Sequence, residues 1–72
     1  MSVWKSTKAR QVFRALTKIG WEPVHQSGSH QKLRHKTAAF PDYIWAFHDG
    51  DEIGPKMLAR IAKHTGLKPS DL

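Results

Sequence analysis

Residues 20–36 read GWEPVHQSGSHQKLRHK, and this stretch decides the fold because it predicts two strands joined by a tight turn. Trp21 to Ser27 forms the first strand, Gly28-Ser29 allows the reversal, and His30 to Lys36 forms the second strand, antiparallel to the first. Side chains two residues apart in a strand share one face of the sheet. The second strand therefore has a face of one histidine and three cations, His30, Lys32, Arg34 and Lys36. Such a row is suited to holding a polyanion beside a titratable base.

The segment before this hairpin has the pattern of an amphipathic helix. Apolar residues recur at three- and four-residue spacing from Ala9 to Ile19, and most of the basic residues lie off that stripe. We expect a helix from about Thr7 to Ile19, capped by Ser6 or Thr7 and ended by Gly20.

The segment after the hairpin predicts a loop, a third strand and a turn. Residues 36–42 contain Pro41 and are typical of a loop, whereas Tyr43 to His48 is rich in aromatic and β-branched residues. Within that strand one face is aromatic and is expected to point into the core: Tyr43, Trp45 and Phe47. Residues 49–51 have the composition of a turn.

A second helix is predicted near the end of the chain. Pro55 suits its first turn, Gly66 its end, and Leu67 can fold back on the last turn. Pro69 stops any continuation, so residues 70–72 are expected to be a loose end. The whole chain, residues 1–72, is then a single α+β domain of order αβββα. That is the order of the double-stranded RNA-binding domain, with two helices on one face of a three-stranded antiparallel sheet.

Charge is distributed unevenly along the chain. Residues 1–36 hold eight Lys or Arg against Glu22 alone, a net +7, whereas residues 37–72 have a net charge of −1. Clustered cations release counterions from phosphates, so the basic half favours nucleic acid as a partner. The alternative is a solvated basic face that only keeps the protein soluble.

Size and composition also limit which partners and which cellular location are expected. A chain of 72 residues buries a modest share of its surface, so a partner protein or weak self-association would support it. There is no cysteine, no apolar signal core and no run long enough to span a membrane, which indicates a cytoplasmic protein without membrane contact.

The central motif resembles that of the HicA family of toxins, small mRNA interferases of toxin–antitoxin pairs. The likeness is carried by Gly20-Trp21, the Gly28-Ser29-His30 entry to the second strand, and Leu33-Arg34-His35. It continues through His48 and through the spacing Gly54-Pro55-x-x-Leu58-x-x-Ile61-x-x-x-x-Gly66-Leu67, and so covers nearly the whole chain. The resemblance implies an endoribonuclease of low turnover that acts on mRNA and is silenced by a HicB-like antitoxin.

The chemistry itself indicates which residues would act. RNA carries its own nucleophile, the 2′-hydroxyl, so cleavage needs a base, an acid and charge stabilisation rather than a metal or other cofactor. His30 is the expected general base, or the acid if the roles are reversed. Lys32, Arg34 and Lys36 would bind phosphate, with added donors from Ser29 and the Gly28 amide. The alternative for His30 is a strand-end histidine bonded locally.

Other histidines are weaker candidates. His48, at the end of the predicted third strand, would share the open face with His30 and is a second proton-transfer candidate; alternatively it only bonds backbone in the turn that follows. His25 also lies in the hairpin, and parity places His35 with Leu33 toward the helices, where a hydrogen-bonded core or rim histidine is expected. The histidines lack the spacing of a zinc site, and Gly54-Pro55 breaks any calcium-loop pattern, so no metal is assigned.

Two classes of function compete on this sequence. One is the metal-independent endoribonuclease toxin. The other is a non-catalytic RNA-binding module of αβββα type, but such modules place a Lys-rich run at the start of the last helix, where this chain has Lys56 alone. A purely structural domain would leave the placement of Gly28-Ser29-His30 unexplained.

Overall fold

The computed structural model describes residues 3–72 and has the predicted α+β architecture. Its elements in chain order are β1 Thr7–Lys8, α1 Ala9–Lys18, β2 Trp21–Ser27, β3 His30–His35, β4 Tyr43–Trp45, β5 Glu52–Ile53, α2 Pro55–Thr65 and a 3-10 turn at Pro69–Asp71. β2, β3 and β4 form an antiparallel sheet in that order, and β1 pairs with β5 in a separate two-stranded ribbon. The predicted α+β fold, two helices with a three-stranded antiparallel sheet, is confirmed.

One face of the sheet packs against both helices. Its fully buried side chains are the aromatic and aliphatic residues of alternate positions, Trp21, Leu33 and Trp45. From the helices come Val12, Leu16, Leu58 and Ile61, each with 0% of its surface exposed. The opposite face carries exposed Lys32, Arg34 and Ile44, so it is open to solvent among the described residues. The layer arrangement therefore leaves one sheet face free for a ligand.

The hairpin between β2 and β3 contains a β-bulge. Pairing runs regularly from Trp21↔His35 to Pro23↔Leu33, then skips Val24 and resumes at His25↔Lys32. β2 is an edge strand, which suits the proline because its missing amide costs no ladder hydrogen bond there. The turn itself is built on Gly28, whose φ of 60° lies in the left-handed region.

His35 joins the end of β3 to the end of α1. Its Nε2 lies 2.8 Å from the Ile19 carbonyl oxygen, which can only accept, so Nε2 carries the proton. Its Nδ1 then accepts from the Thr37 hydroxyl at 2.7 Å. The ring also makes edge contacts with Trp21 and Phe40. His35 is thus half-buried and hydrogen-bonded on the helix side of the sheet, in line with its strand parity.

The start of α1 differs from the prediction. The helix begins at Ala9 rather than near Thr7, and neither Ser6 nor Thr7 caps it, because Thr7 pairs with Ile53 and its hydroxyl donates to the Lys5 carbonyl. The first helical amides are satisfied by backbone instead. The N–H groups of Ala9 and Arg10 donate to carbonyls of the turn at residues 49–51, at 2.8 and 3.3 Å.

Two strand ends are earlier than expected. β3 ends at His35, and Lys36 lies in a turn with its N–H donating to the Gly20 carbonyl at 2.8 Å. β4 ends at Trp45 rather than His48, since its pairing with β3 covers only residues 43–45. Phe47 still packs against Trp45, with ring centroids 5.0 Å apart, so the aromatic face extends past the strand.

The C-terminal expectation is also corrected. α2 ends at Thr65 with Gly66 as its left-handed C-cap and Leu67 buried, as predicted, but residues 69–71 form a 3-10 turn rather than a loose end. The Asp71 carboxylate accepts the Lys68 N–H at 2.8 Å, and Leu72 packs against the core. Neither α1 nor α2, the helices of the described range 3–72, has the length and hydropathy needed to cross a bilayer.

Gly20 is expected to be the glycine least tolerant of a side chain. Its φ is +110°, and a Cβ placed on it would lie 2.7 Å from His35 Nε2. Gly20→Ala should therefore lower the free energy of unfolding by about 1–3 kcal/mol from backbone strain, with a further loss if His35 is displaced. The measurement is urea denaturation, with Gly50→Ala as control because nothing lies within 4 Å of a Cβ there. Equal effects of the two substitutions would contradict the role given to Gly20.

Candidate active site

The open face of the β2–β3–β4 sheet brings together three of the residues that the sequence selects. Directly opposed residues in an antiparallel pair project from the same face. The register therefore sets three rows across the sheet: Ser27 and His30; His25, Lys32 and Ile44; and Glu22 and Arg34. His30, Lys32 and Arg34 thus share one face, as predicted.

His30 is the first residue of β3 and directly follows the turn. Its side chain is exposed, and within residues 3–72 neither ring nitrogen has a hydrogen bond, ion pair or ring contact. The ring is therefore accessible to a ligand on this face. In the described part of the chain no residue bonds to the His30 ring, whereas the locally bonded alternative would need such a partner.

Arg34 is engaged by a carboxylate on the same face. Its Nε and Nη2 donate to the two oxygens of Asp42 at 3.1 and 3.0 Å, a bidentate pair. These hydrogen bonds hold the pKa of Asp42 below its ordinary value of 3.8, with a smaller contribution from the charge of Lys32. The same pairing raises the pKa of Arg34. The Arg34 guanidinium is thus positioned to bind a planar oxyanion through two hydrogen bonds, and it already binds the Asp42 carboxylate in this way.

The remaining phosphate-binding candidates lie at the two ends of β3. Gly28 and Ser29 form the exposed turn that leads into His30, where the Gly28 carbonyl accepts from the Gln26 side chain at 3.2 Å. Lys36 lies in the turn after β3. Of the three cations expected in a row, only Lys32 and Arg34 are therefore on the strand itself. Strand alternation does not fix the direction of the Lys36 side chain.

His48 lies outside the sheet. Its backbone N–H donates to the Asp51 carboxylate and its carbonyl accepts the Asp51 N–H, each at 2.9 Å, in the turn that follows β4. Because β4 ends three residues earlier, the alternation that put His48 on the face of His30 does not reach it. These backbone hydrogen bonds fit the alternative in which His48 only takes part in the turn that follows the strand.

His25 lies on the open face, although strand parity does not select it. Unbroken alternation from buried Trp21 would point it toward the helices, but the bulge at Val24 shifts the parity and pairs His25 with Lys32 on the open face. The available signal was Pro23, since proline within a strand is typical of an edge or a bulge.

Among residues 3–72, no three His, Asp or Glu side chains are grouped so that they could hold a metal ion.

Comparison with protein families identifies the chain. A family model described as the HicA toxin of bacterial toxin–antitoxin matches residues 9–67, from the first residue of α1 to the buried Leu67. The chain belongs to the HicA toxin family. As a HicA toxin it is one half of a toxin–antitoxin pair, so it has an antitoxin partner, and toxins of this family generally cleave mRNA. Comparisons with curated proteins and with solved structures gave no match.

The Arg34–Asp42 pair predicts a specific pH response. Because the folded-state pKa of Asp42 is lowered, the pair stabilises the fold above the ordinary pKa of 3.8, and this stabilisation is lost as the pH falls through the folded-state value. The effect is small, since the two side chains are 55% and 32% exposed.

A carboxyl-carbon NMR titration checks this expectation. Asp42 should titrate below 3.8 in the parent and move back toward 3.8 in Arg34→Ala. Lys32→Ala is the control and should give a smaller shift, because Lys32 acts on Asp42 through charge alone. A larger shift with Lys32→Ala would contradict the pairing.

Proposed function

We propose that this HicA toxin is a metal-independent endoribonuclease of low turnover that cleaves mRNA, with His30 as general base. The observation that carries the proposal is the state of His30: exposed, unbonded within residues 3–72, and on the same sheet face as Lys32 and Arg34. A base beside two fixed cations is what phosphodiester transfer from an internal nucleophile requires.

The reaction follows from the chemistry of RNA. His30 removes the proton from a 2′-hydroxyl, and the oxygen attacks the adjacent phosphorus. Lys32, two residues along the same face, neutralises charge on the phosphate oxygens. Arg34 offers its planar fork to a second phosphate once Asp42 is displaced. General acid–base assistance contributes about 100- to 10,000-fold, which suits a slow, regulated nuclease.

The open face also suits a covering antitoxin, which we take to be HicB-like. Ile44 is 50% exposed there, directly opposite Lys32 and on the same face as Arg34. Protein interfaces combine a central apolar area with a charged rim, and this face provides both. An antitoxin seated on it would cover His30 and the cations together, so binding and inhibition would be one event.

His30→Ala tests the proposed catalysis. The variant should fold, keep RNA affinity within a few-fold, and lose mRNA cleavage by about 100-fold or more, because the proton acceptor is gone while the cations remain. Cleavage of a purified transcript and growth arrest on expression in bacteria are the measurements. His64→Ala is the matched control, a histidine on α2 that stacks on Tyr43. Undiminished toxicity of His30→Ala would favour the non-catalytic RNA-binding module.

Lys32→Ala/Arg34→Ala tests the phosphate contacts. In a His30→Ala background, where RNA stays intact, the double variant should weaken binding and flatten the dependence of log K on log salt. Each lost contact should change the slope by roughly 0.7 to 1. The control is Lys56→Ala/Lys63→Ala, which removes the same charge from α2, a helix packed against the other face of the sheet. Equal flattening by both pairs would mean that net charge alone accounts for binding.

A further inference from the structure

We propose that His25 is the second proton-transfer group of this site. The inference deepens the proposed function and rests on it, because a ribonuclease that uses the 2′-hydroxyl needs an acid for the leaving oxygen as well as a base. The structural feature behind the assignment is the bulge at Val24, which brings His25 to the open face of the sheet.

The register fixes where His25 lies relative to His30. His25 is directly opposite Lys32, and His30 precedes Lys32 by two residues on the neighbouring strand. The two histidines are therefore diagonal neighbours on one face, with Cα atoms about 7–8 Å apart. Lys32 completes a triangle with them. This spacing leaves room for one phosphate group between the rings, with the ammonium group beside it.

The state of the His25 side chain fits the role. It is exposed, and within residues 3–72 its ring has no hydrogen bond, ion pair or aromatic contact. The other histidines fit less well. His35 uses both ring nitrogens, and His64 stacks on Tyr43 in α2. His48 lies in the turn beyond β4, outside the strand ladder that holds His30.

The proposed step balances without any co-reactant. His30 takes the proton from the 2′-oxygen as that oxygen forms its bond to phosphorus. The bond between phosphorus and the 5′-oxygen breaks, and the leaving oxygen takes a proton from the His25 imidazolium. The products are a 2′,3′-cyclic phosphate and a 5′-hydroxyl, and the two histidines exchange protons with water to reset the site.

The pH dependence of kcat/KM for cleavage of a short RNA tests the pair. The parent should give a bell-shaped profile, since one histidine must be neutral and the other protonated. His25→Ala should lower kcat/KM by about 100-fold or more and abolish the alkaline limb, because no acid remains to be deprotonated. RNA affinity should stay within a few-fold. A substrate with sulfur in place of the leaving 5′-oxygen should restore cleavage by His25→Ala, because a thiolate leaves without a proton.

His48→Ala is the matched control and should keep the full bell. The inference is overturned if His25→Ala retains the parent's pH profile, or if the sulfur-containing substrate fails to restore cleavage by His25→Ala. It is also overturned if His48→Ala, rather than His25→Ala, loses the alkaline limb. Those results leave the proposed function intact, provided that His30→Ala is inactive. A parent that cleaves no RNA, or a His30→Ala variant as active as the parent, would overturn the proposed function and this inference together.

Discussion

The register of the β2–β3 hairpin is the constraint on which the rest of the molecule depends. It is fixed at the helix end of the sheet, where Trp21 pairs with His35, the His35 ring donates to the Ile19 carbonyl, and the Trp21 indole donates to the Thr65 carbonyl at 3.0 Å. A slip of one residue would turn every side chain of a strand to the other face. Because Leu33 must be buried, Lys32 and Arg34 must be exposed, so core packing also determines which residues face the ligand.

Much of this arrangement was predictable from local patterns. The apolar stripe of α1, the left-handed glycines 20, 28 and 66, and the alternation around Leu33 each follow from short-range physics, and together they define the αβββα order. The open-face position of His30 and the helix-side position of His35 follow from the same alternation. What connects these predictions is that each concerns residues close in sequence.

The features that the sequence did not reveal depend on contacts between distant segments. The β1–β5 ribbon pairs Thr7 with Ile53 and Lys8 with Glu52, and the adjoining turn at residues 49–51 supplies the carbonyls that replace the side-chain cap expected for α1. Asp42 reached Arg34 from a loop that carried no motif. The length of β4 was set by its pairing with β3 rather than by its own composition. The bulge belongs to the same group, because Pro23 signals an irregular edge without saying how the register resumes.

The bulge at Val24 has a genetic consequence. β2 has seven residues and β3 has six, so one residue of β2 has no pairing partner in β3. In-frame loss of the single codon for Val24 would give a regular hairpin of equal arms in which Trp21, Leu33 and the turn keep their places, and in which His25 still faces Lys32. Loss of a codon beyond His25 would instead change what stands across from Lys32. The two deletions would therefore separate the geometry of the β2–β3 hairpin from the chemistry it presents.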